Sequence, residues 1–383
     1  MARQPGRRVW YVAPTYRMAK QITWRHLKEK LTRFRWVDKF NEQDLTAHLR
    51  NGSEISLRGA DNQDSLRGVG LHFLAVDEAA DIAKTAWTEV LRPTLSDTGG
   101  EAMFLGSPKG RNWFYDLYML GQTGADGWAS WQYTTLEGGN VPAEEVAAAR
   151  RDLDDLTFAQ EYEASFVNFE GRCYYPFTVE ANVGKLVYDV KQPISICLDF
   201  NVSPGIAVIA QEMVLPNGES GTGAIGEVYI PRNSNTPAVC RKILADYGKH
   251  KGAVNVYGDA TGGASGSAKV MGSDWDLVKQ ALRPLNPRYH IPKSNPAERA
   301  RVNAVNSRLR AADGTRRFYV DAGRCPKLIR DLEGVRLLKG GAGEIDKKGD
   351  AELTHLTDAL GYYIEREFST NPRTVAPSNL IGV

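Results

Sequence analysis

Long apolar runs are absent from this 383-residue chain. No stretch approaches the roughly 18 consecutive apolar residues of a membrane helix, and the N-terminus carries no apolar signal core. A secreted or membrane-spanning protein is therefore not expected. Cysteine is scarce. Cys173, Cys197, Cys240 and Cys325 show no C-x-x-C spacing and no adjacent histidine. That argues against a zinc site and a disulfide framework and fits a reducing compartment. An excess of one charge is lacking too: 48 Lys and Arg against 46 Asp and Glu leave a net charge of +2. No global basic field announces a polyanion, and local clusters such as Arg3, Arg7 and Arg8 read first as surface charge. The phosphate-cradling sequence G-x-x-x-x-G-K-S/T occurs nowhere. The Gly-rich GDATGGASGSAK at 258–269 lacks its ending.

The chain is 42% hydrophobic and 25% charged, an ordinary globular composition, and its length suggests two domains. Residues 9–13, VWYVA, read as a buried strand broken by Pro14. Residues 16–34 have helical spacing through Met18, Ile22, Leu27 and Leu31. Strands follow at 53–58, 71–76 and 102–106, with a short helix at 87–95 closed by Pro93 and another at 113–120. Strands alternating with helices predict a parallel α/β sheet. From about 138 to 170 the pattern is helical, and the aromatic FEGRCYYPF that ends it reads as a connector. The second half runs strand 194–199, strand 205–212, a Gly-rich turn, strand 224–230, helix 238–248 and strand 253–258, a mixed α/β order. The tail after Ser369 is Pro- and Asn-punctuated and reads as loose.

Several motifs carry chemistry. In FLAVDEAAD an apolar strand ends at Asp77-Glu78. A phosphoryl-transfer ATPase needs an Asp to serve Mg²⁺ and a Glu to polarise water at such a place. The plain alternative is a strand-to-helix junction with Asp77 or Asp81 as a cap. MFLGSPKG ends a second strand at Ser107, either a γ-phosphate sensor or a simple Pro-Gly turn. In DSLRGVG, Arg67 stands in a Gly-flanked loop and is either a charge-neutralising arginine or a surface one. Three acidic points lie further on. Asp199 and Asp259 end buried strands in ISICLDFNVSPG and VNVYGDATGG, and Asp358 sits on a helical pattern in THLTDALGYY. A carboxylate at a buried strand tip is costly unless paired or bound to a cation. Three converging carboxylates suit two Mg²⁺ or Mn²⁺ ions, the equipment for cutting a phosphodiester. His355 shares a helix face with Asp358 and could touch a metal, orient a phosphate or satisfy a core hydrogen bond. Asp350 and Glu352 lie just upstream. NPAERARVNAVNSRLR is a helix carrying Arg299, Arg301, Arg308 and Arg310. It would lie along a DNA backbone or form a solvated face over the stripe of Val302, Val305 and Leu309.

Together these motifs resemble the large terminase subunit of tailed double-stranded DNA bacteriophages. VWYVAPTYRMAKQITW looks like the segment after that family's phosphate loop, FLAVDEAAD its Walker B strand and MFLGSPKG its coupling motif. DFNVSPG, YGDATGG, RVNAVNSRL and THLTDALGYY stand in the order of its nuclease domain. The resemblance implies an α/β chain with two domains. An additional-strand, P-loop-type ATPase over 1–170, lacking its first strand and phosphate loop, is joined by a connector at 171–185 to an RNase H-like mixed-sheet nuclease over 186–370. A flexible tail, 371–383, follows. It further implies that Asp199, Asp259 and Asp358, with His355, hold two Mg²⁺ or Mn²⁺ ions. Asp77, Glu78, Ser107 and Arg67 would serve ATP and its Mg²⁺, with Glu78 activating water. The activity implied is cutting of concatemeric viral DNA and ATP-driven packaging into the procapsid, in the cytoplasm of the infected bacterium. The implied partners are double-stranded DNA, the small terminase subunit and the portal protein, with no membrane. The assembled form would be a homo-oligomeric ring and the isolated chain a monomer. Two other readings stay open: a resolvase-like RNase H nuclease, and a non-catalytic prophage remnant that binds the packaging complex. Without a phosphate loop, the chain as given is expected to hydrolyse ATP poorly or not at all. A robust steady-state ATPase rate abolished by Glu78→Gln would overturn that expectation.

Overall fold

The computed structural model describes residues 4–110, 112–167, 171–200, 204–260, 273–338, 344–347 and 353–369. Asp350, Glu352 and the tail beyond Ser369 lie outside them. The chain divides into two compact units, Met1–Thr134 with Glu163–Asn168, and Thr135–Tyr162 with Phe169–Val383. No helix among the described residues is long and apolar enough to cross a membrane.

The first unit is built on a six-stranded sheet in the order β2-β3-β4-β1-β5-β6. The strands are β1 (Arg8–Ala13), β2 (Val37–Asn41), β3 (Thr46–Leu49), β4 (Glu54–Gly59), β5 (Phe73–Val76) and β6 (Glu101–Phe104). β4, β1, β5 and β6 run parallel, whereas β2-β3-β4 is an antiparallel meander. The pair β2 and β3 was not legible from the pattern. VDKFN and TAHL mix charge and small residues, so they lack both alternation and an apolar run. β5 alternates partly buried and buried residues, with Leu74 and Val76 on the more deeply covered face. The short helix expected to close at Pro93 instead continues. Residues Ala86–Leu91 form a π-helical turn that leads into Arg92–Ser96, with Pro93 in the first turn of the second segment. A first-turn position needs no backbone donor, so proline is accommodated there.

The second unit has a seven-stranded mixed sheet in the order β12-β11-β8-β9-β10-β13-β7. Its strands are β7 (Val183–Gly184), β8 (Ile194–Asp199), β9 (Gly205–Val214), β10 (Ser220–Ile230), β11 (Val254–Tyr257), β12 (Arg288–His290) and β13 (Phe318–Asp321). β8, β9 and β10 are antiparallel neighbours, and β11 runs parallel to β8. Side chains alternate along β8. Ile194, Ile196 and Leu198 enter one core with the helices Thr236–Tyr247 and Asp274–Ala281. Cys197 enters the other, with the helices Glu298–Leu309, Pro326–Gly334 and His355–Phe368. Covering both faces of the central strands buries each residue of β8 except the last, Asp199, which is half-buried.

Two expected boundaries differ from the structure. Residues 171–185 are no connector. Cys173, Tyr174 and Phe177 are core residues of the second unit, the Cys173 N–H donates to the Val335 carbonyl at 2.8 Å, and Val183–Gly184 is a sheet strand. The aromatic spacing that resembles a linker is instead an anchor. Residues 135–162, expected with the first half, cluster with the second unit. There the Ala312 N–H donates to the Leu153 carbonyl at 2.7 Å, and Asp154 bridges Ala311.

Asn182 ties this packing together. Fully buried, it donates through Nδ2 to the carbonyls of Leu309 at 3.1 Å and Phe318 at 3.0 Å, and its Oδ1 accepts from Arg316 at 2.8 Å. Asn182→Ala leaves buried acceptors and a donor without that partner. It should cost about 3 kcal/mol of unfolding free energy in urea titration.

Candidate functional site

In the first unit the parallel strand β5 delivers Asp77 and Glu78 to its C-terminal end, the ligand side of an α/β sheet. The Asp77 N–H donates to the Val12 carbonyl at 2.8 Å, which holds the turn against β1. The Tyr11 hydroxyl donates to Asp77 Oδ2. Burial, and next the hydrogen bond to Asp77, push the Tyr11 phenol up to about 12. Glu78 has left-handed backbone, φ +47°, uncommon for a non-glycine residue, and it opens the three-residue 3₁₀ turn Ala79–Asp81 without any side-chain cap. The helix-cap reading of Asp77 therefore does not describe this turn. Gly106 lies directly behind it. Its φ is +142°, and a Cβ there would sit 3.0 Å from Glu78 Cα. The Ala79 N–H donates to the Leu105 carbonyl at 2.9 Å. The two motifs thus meet backbone to backbone, with Ser107 half-buried beside them. Lys109 Nζ pairs with Asp81 Oδ1 at 2.6 Å, a contact the sequence did not suggest. Arg67 lies about half in solvent and bonds Asp64 Oδ1 and the Glu89 carbonyl, both at 3.3 Å.

In the second unit the three acidic positions come to one end of the sheet. The parallel register pairs Tyr257 with Cys197, and two residues further along each strand stand Asp259 and Asp199. Adjacent strands lie about 4.8 Å apart. The His355–Phe368 helix packs across β8, β9 and β11 and brings Asp358 to them. Asp259 is 6% exposed and Asp358 8%. The Asp259 carbonyl accepts from Trp275 Nε1 at 3.0 Å, and the Ala260 N–H donates to Asn295 Oδ1 at 2.7 Å, so the strand end is held on both sides. His355 Nδ1 lies 3.3 Å from Asp199 Oδ2. Tyr362, one helical turn beyond Asp358, has its phenol raised above the usual range by burial, while the charges of Asp199, Asp259 and Asp358 all act on it. A single side chain therefore senses all three carboxylates.

Asp358 is paired with cations. Arg301 Nη1 meets Oδ1 at 2.7 Å and Lys347 Nζ meets Oδ2 at 3.5 Å. Burial raises the Asp358 carboxyl pKa, the Arg301 and Lys347 charges offset part of that, and Asp199 adds to it. Carboxylates with a histidine form a hard, oxygen-rich donor set that fits Mg²⁺ or Mn²⁺. Among the described residues, however, no three acidic, Cys or His side chains close on one point at metal-ligand spacing.

The first 179 residues match the family model described as "Terminase large subunit, T4likevirus-type, N-terminal". The chain is 32% identical over 187 residues to the large terminase subunit of Escherichia phage T5, covering 48% of this chain and 42% of that one. It is 31% identical over 198 residues to the large subunit of Thermus virus P23-45, covering 43% and 41%. The first half of the chain is thus similar in sequence to phage large terminase subunits. Its matches span about two-fifths of the length of these curated relatives. In fold it is similar to the large terminase of a thermophilic bacteriophage, with a TM-score of 0.57 over 95% of this chain and 87% of that one, at 16% identity. That thermophilic phage protein has also been solved with ADP and with ATP-γ-S, at TM-scores of 0.55 and 0.54.

The basic helix holds a correction. Arg301 and Arg308 do not present a DNA-facing stripe. Arg301 is buried on Asp358, and Arg308 Nη2 bonds Thr222 Oγ1 at 2.8 Å and Glu212 Oε2 at 3.3 Å. Arg299 bonds Gln160 and Arg310 pairs with Asp155. The signal was available: Arg301 and Arg308 stand four and three residues from Val305, on its own helix face. Lys347 had no such signal, because a loop lysine has no periodicity.

Gly106→Ala forces a Cβ against the Glu78 backbone at a φ reserved for glycine. A loss of about 1–3 kcal/mol is expected in thermal or urea unfolding of the first unit. An unchanged stability would show that the two strand ends are not in register contact.

Proposed function

We propose that the second unit is an RNase H-like, metal-dependent endonuclease domain acting on double-stranded DNA. We propose equally that the first unit is the nucleotide-handling part of a DNA-packaging motor. The observation that carries the first reading is the arrival of Asp199, Asp259 and Asp358 at one sheet end from two parallel neighbour strands and one helix. Buried like charges are kept together only where cations are to be met.

Asp199, Asp259 and Asp358 would hold the ions, with His355 at the edge of the set. The chemistry supplied by Mg²⁺ or Mn²⁺ at such a place is generation of hydroxide at neutral pH and neutralisation of charge on the leaving oxygen. This chain's own side chains orient the ligands. His355 fixes the Asp199 carboxylate, Trp275 and Asn295 pin the strand end that bears Asp259, and Arg301 sets the rotation of Asp358. Among the described residues no helix of the unit is presented as a base-reading element, so cleavage should be largely independent of sequence.

In the motor unit, Asp77 and Glu78 would serve the Mg²⁺ of ATP and the attacking water, and Ser107 would relay the phosphate state through Gly106 to Glu78. A large terminase of similar fold has been solved with ADP and with ATP-γ-S, which supports a nucleotide-handling role for the unit but names none of these residues. Arg67 would act on ATP only after exchanging Asp64 for phosphate. The partners proposed are viral DNA, the small terminase subunit and the portal ring, in the cytoplasm of the infected host, with the working assembly a homo-oligomeric ring.

The test is supercoiled-plasmid cleavage by the full chain with Mn²⁺, Mg²⁺ or EDTA, beside Asp259→Ala. Nicking and linearisation should need the metal and fall on the order of a hundredfold or more in the variant. Cleavage that survives EDTA or Asp259→Ala would sink the reading, and folded protein that never cuts would favour a packaging-complex binding role.

A further inference from the structure

We propose that Asp358 is held by two cations of unequal permanence: Arg301, a fixed positioning residue on Oδ1, and Lys347, a displaceable gate on Oδ2. This inference rests on the reading of the three carboxylates as a divalent-ion site and names how entry to that site is controlled.

Arg301 has nowhere to go. It is 7% exposed, its guanidinium lies 4.4 Å from the centre of the Tyr362 ring, and its Nη1 is 2.7 Å from Oδ1. Its stem lies along Gly361, where even one added carbon would come within 3.2 Å of Arg301 Cβ. Withdrawing a buried guanidinium from its carboxylate would leave the guanidinium uncompensated, so the contact stays closed. A planar, hydrogen-bonded partner of this kind orients a ligand oxygen rather than competing for it.

Lys347 is placed differently. Half of its side chain is exposed, and its contact with Oδ2 is long, 3.5 Å. It already has a better partner, Glu298 Oε2 at 2.8 Å, and Glu298 is itself fixed by the Ile345 N–H at 2.8 Å from Oε1. Glu298 and Arg301 are three residues apart on one helix, so the alternative partner and the fixed one move as a unit. When Lys347 leaves Oδ2 it remains a paired ammonium on Glu298. The same departure turns Oδ2 from an ion-paired oxygen into a ligand facing the other carboxylates.

The test is isothermal titration of the full chain with MnCl₂. Lys347→Met should tighten Mn²⁺ binding by up to about fivefold, the size of a partly exposed ion pair, with less effect at high salt. Lys347→Gln should do the same, and Lys347→Arg should stay near wild type. Arg301→Met, checked for folding by ion-free melting, should weaken Mn²⁺ by about tenfold or more. Unchanged or weaker affinity in both neutral Lys347 variants overturns the gate, and undiminished affinity in folded Arg301→Met overturns the positioning role. Absence of Mn²⁺ binding by the wild type, or binding indifferent to Asp259→Ala, overturns the ion site itself and the gate with it.

Discussion

Like charges buried side by side repel, and the second unit is organised around containing that repulsion. Asp199, Asp259 and Asp358 share the end of one sheet with little solvent to screen them. The protein places the guanidinium of Arg301 and the ammonium of Lys347 on the most helix-bound of the three, and the imidazole of His355 on the first. These counter-groups come from a helix, a loop and a second helix. The folded unit must therefore be complete before any of the carboxylates is accommodated.

The same constraint explains the packing beneath the site. The helix carrying Asp358 lies across β8, β9 and β11 and against the helix carrying Arg301. Apolar residues Leu356, Ala359, Leu360 and Ile364 seat the one, and Val302, Val305 and Leu309 the other. The ion pair thus spans two elements whose separation is set by hydrophobic contact, so its geometry is inherited from the core. In the first unit the corresponding constraint is the backbone. Glu78 in a left-handed turn and Gly106 behind it place the ends of β5 and β6 in direct contact.

Much of this was legible in the residues. Apolar runs ending in Asp77, Asp199 and Asp259 marked strand ends, because a carboxylate stops a buried run for a solvation reason visible in sequence. Spacing put His355 and Asp358 on one helix face. Other features left no trace. β2, β3 and β12 are short and polar, and β13 is a four-residue run; their pairing is decided by neighbours across the sheet. The aromatic stretch at 173–177 has the composition of a linker and the burial of a core, a difference that depends wholly on what covers it.

By itself the sequence marked the acidic candidates at strand ends and where the chain turns from strand to helix. Those follow from local solvation and periodicity. Only the tertiary structure decided that β1 lies between β4 and β5, that residues 135–162 pack with the second unit, and that Arg301 and Lys347 answer Asp358 rather than solvent or DNA. Each of these is a pairing between groups far apart in the chain. Such a pairing is settled by the free energy of the whole packed unit, which no local pattern encodes.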